Sequence, residues 1–439
     1  MIILISFIVS FCLLIFVVLN DIHIAFGLLA SYLIFAFVSR LMGKTFNEIK
    51  TLSWNGGKRS FVVLKIFILI GLVTASWMIA GTIPSIVYYS MKIMNPKFFI
   101  LFAFLSSSLV SYMLGTSFGT ASTIGVVLMI MARGGDINLN IAAGAVLSGC
   151  YVGDRASPMS SCANLVANQT QTDLYPMLKK LRHTALIPLI ATSIIYLFLS
   201  FKNPLTVVGN NIISQIQESY NINFIALVPA LVMLILSGFQ YNVKKSMAIS
   251  VVSGAIVAFI IQNVSIIDIL KTLISGYKLD PSHPLVNLMK GGGLFANLKA
   301  GIVIFISCSL AGLLEGLDIF KKTGDLFTSF NTRSKVYIST ALTSIASASF
   351  GGNQSIAVVM VSGIIKELYK KRNYSNYDLA TDIANTAVLI APMIPWNIAV
   401  LIPATIFDVE AYAIVPYAFY LSTSVIINYL VLRVKEIKH

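Results

Sequence analysis

Charge is what this sequence has least of. Of 439 residues only 11% are Asp, Glu, Lys or Arg, against 57% hydrophobic, and the mean hydropathy is +0.86. That balance excludes an ordinary soluble globular domain. Cysteines number four (Cys12, Cys150, Cys162, Cys308) with no CxxC pair, which excludes a disulfide framework and a zinc site and leaves them as small packing residues. The four histidines (His23, His183, His283, His439) fall mainly in loops and the tail, so a histidine proton relay has no support. A GxxxxGK[ST] loop is missing, which argues against ATP-driven pumping within the chain, and neither HExxH nor GxSxG offers an enzyme site. No cofactor is expected.

What is present is apolar sequence in lengths that cross a bilayer, about 20 residues each. Examples are 2–19, 22–39, 61–83, 98–114, 184–200, 223–239, 246–262, 301–320 and 411–432. The chain reads as an all-α integral membrane protein with about ten to twelve transmembrane helices, its partner being the lipid bilayer of the cell (cytoplasmic) membrane. The first stretch has no basic leader and no small-residue cleavage site, and reads as a retained helix. A net charge of +14 could suggest nucleic acid, but Lys and Arg cluster between spans at 40–59, 179–183, 244–245, 321–335, 366–372 and from Arg433, the pattern of cytoplasmic loops. Segments 202–222, 263–290 and 406–411 are near neutral or acidic and read as external.

An internal repeat emerges when "SFGTASTIGVVLM" (117–129) is laid on "SFGGNQSIAVVMV" (349–361), an offset of 349 − 117 = 232. Downstream, Pro158-Met159, Asn164 and Asp173 answer Pro392-Met393, Asn397 and Asp408 at offsets of 234, 233 and 235, a drift that implies small insertions. Counting spans from the basic loops places the loop before the first copy (92–97) outside and the loop before the second (321–335) inside. Matching sequence in opposite orientation is the pattern of an inverted-repeat secondary transporter, with its site near the bilayer midplane. The expected division is a first half at 1–201, a linker at 202–222 and an inverted second half at 223–439.

Polar residues gather at the two copies. "GTSFGTASTIG" (115–125) holds Thr116, Ser117, Thr120, Ser122 and Thr123 among three glycines, which break a helix and free carbonyls that a sodium ion can use; close helix packing through small residues explains the same composition. "SASFGGNQS" (347–355) adds Asn353, Gln354 and Ser355. In "APMIPWNIAV" (391–400), Pro392 and Pro395 remove two amide donors ahead of Trp396, a cavity wall or an interfacial anchor, and Asn397. The sharpest residue is Asp154 in "CYVGDRASPMSSCAN" (150–164), because an acid inside a membrane is costly and functional by default, although a helix-capping role is open to it. Around it stand Ser157, Ser160, Ser161 and Asn164, and Arg155, one residue on, points elsewhere on a helix. Asp382 and Asn385 share a helical face. Glu315 lies near a span end, where a solvated role serves as well, and Asp173 and Asp408 are placed for capping. The breaks are either broken helices or re-entrant hairpins.

This order of pieces resembles the NhaC family of sodium/proton antiporters, within the larger ion-transporter superfamily. The resemblance is carried by "GLVTASWMIAGTIPSIVYYSMKIMNPKFF" (71–99), "GTSFGTASTIGV" (115–126), "AGAVLSGCYVGDRASPMSSCANL" (143–165), "TDLYPMLKKLRHT" (172–184) and "APMIPWN" (391–397), which cover most of the chain. It implies an inverted-repeat transporter moving its cargo against or with sodium or protons, and some relatives exchange organic anions such as malate for lactate, or carry amino acids. Two departures stand out: Ser161 occupies a position where the family typically has an aspartate, and Ala384-Asn385 one where it typically has a Glu-Asp pair.

The expected function is therefore sodium/proton antiport by alternating access, with Asp154 as the candidate sodium ligand and proton carrier, aided by Asp382. Thr116, Ser117, Thr120, Ser157, Ser160 and Asn164 would supply neutral oxygens, and Asn353, Ser355, Trp396 and Asn397 would close the site. The alternative is a sodium- or proton-coupled carrier of a small organic solute on the same scaffold, contacted by Trp396, Asn353, Gln354 and Arg155. Assembly as a homodimer is open to either.

Overall fold

The computed structural model describes all residues except 1, 21, 94, 206–208, 240, 284, 287–288, 317–330 and 439; Lys321, Lys322 and His439 lie outside the described residues. It is built from helices, and among the described residues the one β-type contact is the isolated bridge Tyr277–Gly291. Four helices there are long and apolar enough to cross a membrane: Ile24–Leu41, Pro96–Leu114, Ser117–Gly134 and Leu174–Lys202. Three bent pairs bring this to seven, and three shorter apolar helices (Ile5–Val17, Phe224–Leu236, Gly301–Gly316) lie beside them. Helices such as Leu139–Ala156 and Arg333–Gly351 are of spanning length, but they are buried in the bundle and carry the polar residues of the repeats.

Ten elements frame the repeats. In the first copy they are α1 (Phe99–Leu114), α2 (Ser117–Gly134, with a π turn at Ala121–Gly125), α3 (Leu139–Ala156), α4 (Ser161–Thr170) and α5 (Leu174–Lys202). In the second they are α6 (Arg333–Gly351), α7 (Gln354–Lys371), α8 (Asn376–Met393), α9 (Ile398–Phe407) and α10 (Phe419–Lys438), the last preceded by the bent segment Ala411–Tyr417.

The backbone sets the register of the repeat, and the offset is constant. Left-handed residues come in pairs, Gly115 with Gly352 (φ 65° and 62°), Asp136 with Asn373 (54° and 56°) and Gln171 with Asp408 (54° and 55°). Each pair is 237 residues apart (352 − 115, 373 − 136, 408 − 171). Helix N-caps fall at the same spacing: Asn95 and Thr332, Thr116 and Asn353, Asn138 and Ser375, Ser160 and Asn397, Asp173 and Glu410. The offsets of 232 to 235 expected from the sequence are corrected by this, and no insertion is needed between residues 95 and 173. Ser-Phe-Gly opens α2 but closes α6, so its two occurrences lie on opposite sides of the helix break. The side-chain likeness reflects two small-residue helix ends rather than equivalent positions.

Contacts between the copies run in both directions, through residues that are not equivalent under the offset. Arg133, at the end of α2, donates to the Phe407 carbonyl at 2.6 Å and meets Asp408 at 3.2 Å at the end of α9. In turn Lys366 of α7 donates to Gln171 (3.3 Å) at the end of α4.

Both inner turns need glycine. Gly115 and Gly352 end α1 and α6 in the left-handed region, where a side chain is strained. A Cβ on Gly115 would lie 2.4 Å from the Met159 backbone, and one on Gly352 would lie 2.5 Å from Ser307 Oγ. α1 and α3 pack against each other through a GxxxG pair, Gly149 and Gly153, which lets the backbones touch. The Ser111 hydroxyl donates to the Cys150 carbonyl across that contact and accepts from the Gly153 amide at 3.2 Å.

A Cβ on Gly153 would lie 2.0 Å from the Ser111 carbonyl. Gly153→Ala is expected to lower stability by about 1–3 kcal/mol, as overpacking does. Gly363→Ala, inside α7 at a position with open space around it, is expected to raise stability by about 0.5–1 kcal/mol; thermal unfolding of both purified variants in detergent checks the contrast.

Candidate functional site

α3 stops just beyond Asp154 because Pro158 and the extended residues that follow cannot continue a helix. Ser160 bridges the break: its hydroxyl donates to the Asp154 carbonyl and accepts from the Cys162 and Ala163 amides at 3.1 and 3.0 Å, opening α4. In the second copy Asn397 performs the equivalent task, accepting from the Ala399 amide at 3.0 Å while its side-chain amide donates to the Ala348 carbonyl at 2.7 Å.

The Asp154 side chain, 5% exposed, points to where the copies meet. The Ser117 hydroxyl donates to Oδ2 at 3.2 Å, and the Ser117 backbone amide and the Gln354 side chain lie close by. Ser117 and Gln354 are the first residues of α2 and α7 and are equivalent under the 237-residue offset. Asp154 therefore sits at the N-terminus of α2, with the first side chain of α7 beside it, a setting whose dipole favours an anion. Its own equivalent is Ala391, so the cradle is symmetric but its acid is single.

No cation partners Asp154 among the described residues. Hydrogen bonds to a charged group contribute about 1.5–3 kcal/mol each. Desolvating a carboxylate costs several kcal/mol even after relaxation. The donors present thus hold the carboxylate in place without replacing a counter-charge.

The other acids are spoken for. Asp382 does not join Asp154: Arg333 grips it through both guanidinium nitrogens (Nη2–Oδ1 2.8 Å), and Tyr369 donates to it as well. That pairing places it apart from the Asp154 carboxylate, with its own counter-charge. Glu315 pairs with Arg59 at 2.7 and 2.8 Å near the surface, which favours the solvated role. Asp408 ends α9, and Asp173 occupies the N-cap of α5 without a side-chain cap bond.

Arg155 turns away from Asp154 as helical geometry demands, and it is 1% exposed. Its partners are neutral: the Tyr420 hydroxyl at 2.8 Å, the Thr184 hydroxyl at 2.6 Å, the Leu181 carbonyl at 3.4 Å and the Asn385 side-chain oxygen. Its Nε has no partner. Asn385 is therefore placed by Arg155, on the far side of α3 from the Asp154 carboxylate.

Most of the remaining candidates serve the backbone. Thr116 accepts from the Gly119 amide, Thr120 donates to the Thr116 carbonyl (2.8 Å), and Ser157 donates to the Tyr112 carbonyl (2.7 Å). Asn164 donates to the Ser160 carbonyl (2.8 Å), and Asn353 accepts from the Ser355 amide (2.7 Å). Ser161, Asn164 and Ser355 are exposed. Trp396 is buried and its indole donates to the Ser349 carbonyl at 2.7 Å, which rules out the interfacial anchor and makes it a tie between the α8–α9 break and α6. Of the expected set, Ser117 bonds the carboxylate of Asp154 and Gln354 lies close by.

One residue escaped the sequence reading. Tyr151, three residues before Asp154 and fully buried, places its hydroxyl beside Ser117 and donates to the Ala399 carbonyl of α9 at 2.7 Å. The i, i+3 spacing was available as a signal, since it puts Tyr151 and Asp154 on one face of α3.

The Na+/H+ antiporter family matches residues 1–201 and 149–434. The chain is similar to an uncharacterized Na(+)/H(+) antiporter of Haemophilus influenzae, 27% identical over 374 residues that cover 82% of this chain and 80% of that protein. It is similar also to the malate-2H(+)/Na(+)-lactate antiporter of Bacillus subtilis (24% over 412 residues, 92% and 87% covered). A third relative is the Na(+)/H(+) antiporter NhaC of Alkalihalophilus pseudofirmus (24% over 403 residues, 90% and 87% covered). The chain belongs to the Na+/H+ antiporter family, as a multi-pass secondary antiporter of the membrane.

Proposed function

We propose that sodium and protons exchange through the Asp154 carboxylate, which takes one or the other but not both. The observation that carries this reading is a buried carboxylate that has no cationic partner among the described residues and is bonded by Ser117 at the start of α2, with Gln354 at the start of α7 beside it. Sodium is a hard cation that prefers oxygen ligands, and here it would find the Asp154 carboxylate, the Ser117 hydroxyl and the side-chain oxygen of Gln354. A proton on the same carboxylate removes the charge that holds sodium, so the two cargoes compete. Binding at the contact between the copies lets a rocking of one against the other expose the site alternately to each side.

A second reading has its own observation in Arg155. A buried guanidinium that meets neutral acceptors alone, with Nε unpartnered, suits the carboxylate of an organic solute, and a malate/lactate exchanger stands among the relatives. Under it, sodium- or proton-coupled movement would require that solute.

Proteoliposomes separate the two. An imposed sodium gradient is expected to move protons with no organic solute present; if protons move only when a small carboxylate or amino acid is supplied, the solute reading replaces the first. Asp154→Asn is expected to reduce sodium-driven proton movement about 100-fold or more, the scale of losing an essential proton-transfer group. Because protons and sodium share the group, the KM for sodium should rise as pH falls, and a pH-independent KM would contradict a shared site. Asp382→Asn leaves Arg333 buried without its partner, so it should cost about 3–5 kcal/mol of stability, read as a lowered unfolding midpoint. The sodium KM of the folded fraction should stay near that of the wild type.

A further inference from the structure

We infer that Tyr151 is the positioning residue that makes movement of the second repeat depend on whether Asp154 is occupied. The inference rests on the antiport reading above and goes beyond it by assigning the coupling to one side chain.

Asp154, Ser117, Tyr151 and Ala399 form one chain of contacts. The Ser117 hydroxyl donates to Asp154 Oδ2 at 3.2 Å and stands beside the Tyr151 phenol without bonding it, while the phenol donates to the Ala399 carbonyl at 2.7 Å. Ala399 is the second residue of α9, so the chain runs from the acid of the first copy to the half-helix of the second. A serine hydroxyl has a single proton to give. With the carboxylate empty, that proton points at Asp154. Once the carboxylate is occupied, the Ser117 oxygen faces the cargo and its proton is released toward the Tyr151 oxygen. A phenol that accepts a hydrogen bond donates a stronger one, so occupancy tightens the tie from Tyr151 to Ala399. The element has two discrete arrangements, which is what coupling between sites requires.

Symmetry singles out this residue. Under the 237-residue offset Tyr151 corresponds to Val388, and the Gln354 side chain donates to the Val388 carbonyl at 3.1 Å, where Ser117 stands beside Tyr151. The second copy thus closes its half of the cradle on its own backbone. Tyr151 alone of the two extends the contact into the opposite copy, and with 0% exposure it has no solvent to bond instead.

The test uses the full chain in proteoliposomes under a sodium gradient, with radioactive sodium for the ion and a pH-sensitive dye for protons. The wild type should hold a fixed ratio of protons moved per sodium. Tyr151→Phe keeps the ring and removes the donor; sodium should still cross, with a little-changed KM, while the ratio of protons to sodium falls at least about fivefold, the lower end of typical coupling factors. para-Aminophenylalanine at position 151 restores an N–H donor and should restore the ratio. An unchanged ratio in Tyr151→Phe, with the maximal rate alone lowered, would reduce Tyr151 to a packing residue and overturn the inference. A measurement on the wild type stands independently of how the variants fold: hydrogen exchange at the α9 amides in nanodiscs should slow in sodium chloride relative to choline chloride, and equal exchange would overturn the inference as well. If the wild type moves no protons under a sodium gradient, the antiport reading itself falls and the inference with it.

Discussion

A carboxylate held inside a membrane without a cation is the constraint on which this architecture turns. Asp154 can sit there because the N-terminus of α2 faces it, with the first side chain of α7 beside it, and a helix N-terminus supplies amides and a positive dipole end without supplying a full charge. A lysine or arginine in contact would have satisfied the acid permanently, as Arg333 satisfies Asp382. The difference between the two buried acids is one of completeness: a bidentate guanidinium and a phenol close one, while a serine hydroxyl meets the other with no cation beside it among the described residues. Transport needs the second kind. Gly115, Gly352 and the prolines at 158 and 395 exist in this scheme to create the breaks and to let them approach.

The two copies supply nearly identical backbones and different chemistry. Caps and left-handed residues recur at a constant spacing from residue 95 to residue 173 of the first copy, whereas Asp154 faces Ala391, Ser117 faces Gln354 and Tyr151 faces Val388. Symmetry of the backbone gives two states of equal kind, inward and outward, at little cost in sequence. Function lies in the departures. A second acid at position 391 would place two carboxylates in one cradle, where like charges raise the cost of ionising both.

How much of this the sequence disclosed follows from what each signal reports. Composition and apolar length gave the membrane class, because the bilayer acts on every residue of a span. The single acid at 154 stood out against that background, and so did the two breaks, since glycine and proline act locally. Register did not survive, because Ser-Phe-Gly was matched by side chain while the repeat is written in φ and ψ; the paired positive-φ positions include Asp136 with Asn373 and Gln171 with Asp408, pairs that share no identity. Asp382 looked available because its partner, Arg333, lies 49 residues away beside a basic loop. Tyr151 was hidden by being aromatic in an apolar helix, where packing is the ordinary reading.

The abundance of hydroxyl and amide side chains near the breaks has a simpler origin than ion binding. Inside a membrane each interrupted helix leaves amides and carbonyls that water cannot reach, so a polar side chain must meet them. Thr116, Asn353, Ser160 and Asn397 are caps of this kind, and each accepts from an amide at the start of its own helix. The residue after the cap is under no such demand. In α2 that residue is Ser117, which turns to Asp154, and in α7 it is Gln354, which donates to the Val388 carbonyl. Position relative to the helix start, and not residue type, separates side chains that cap their own helix from side chains that reach another element.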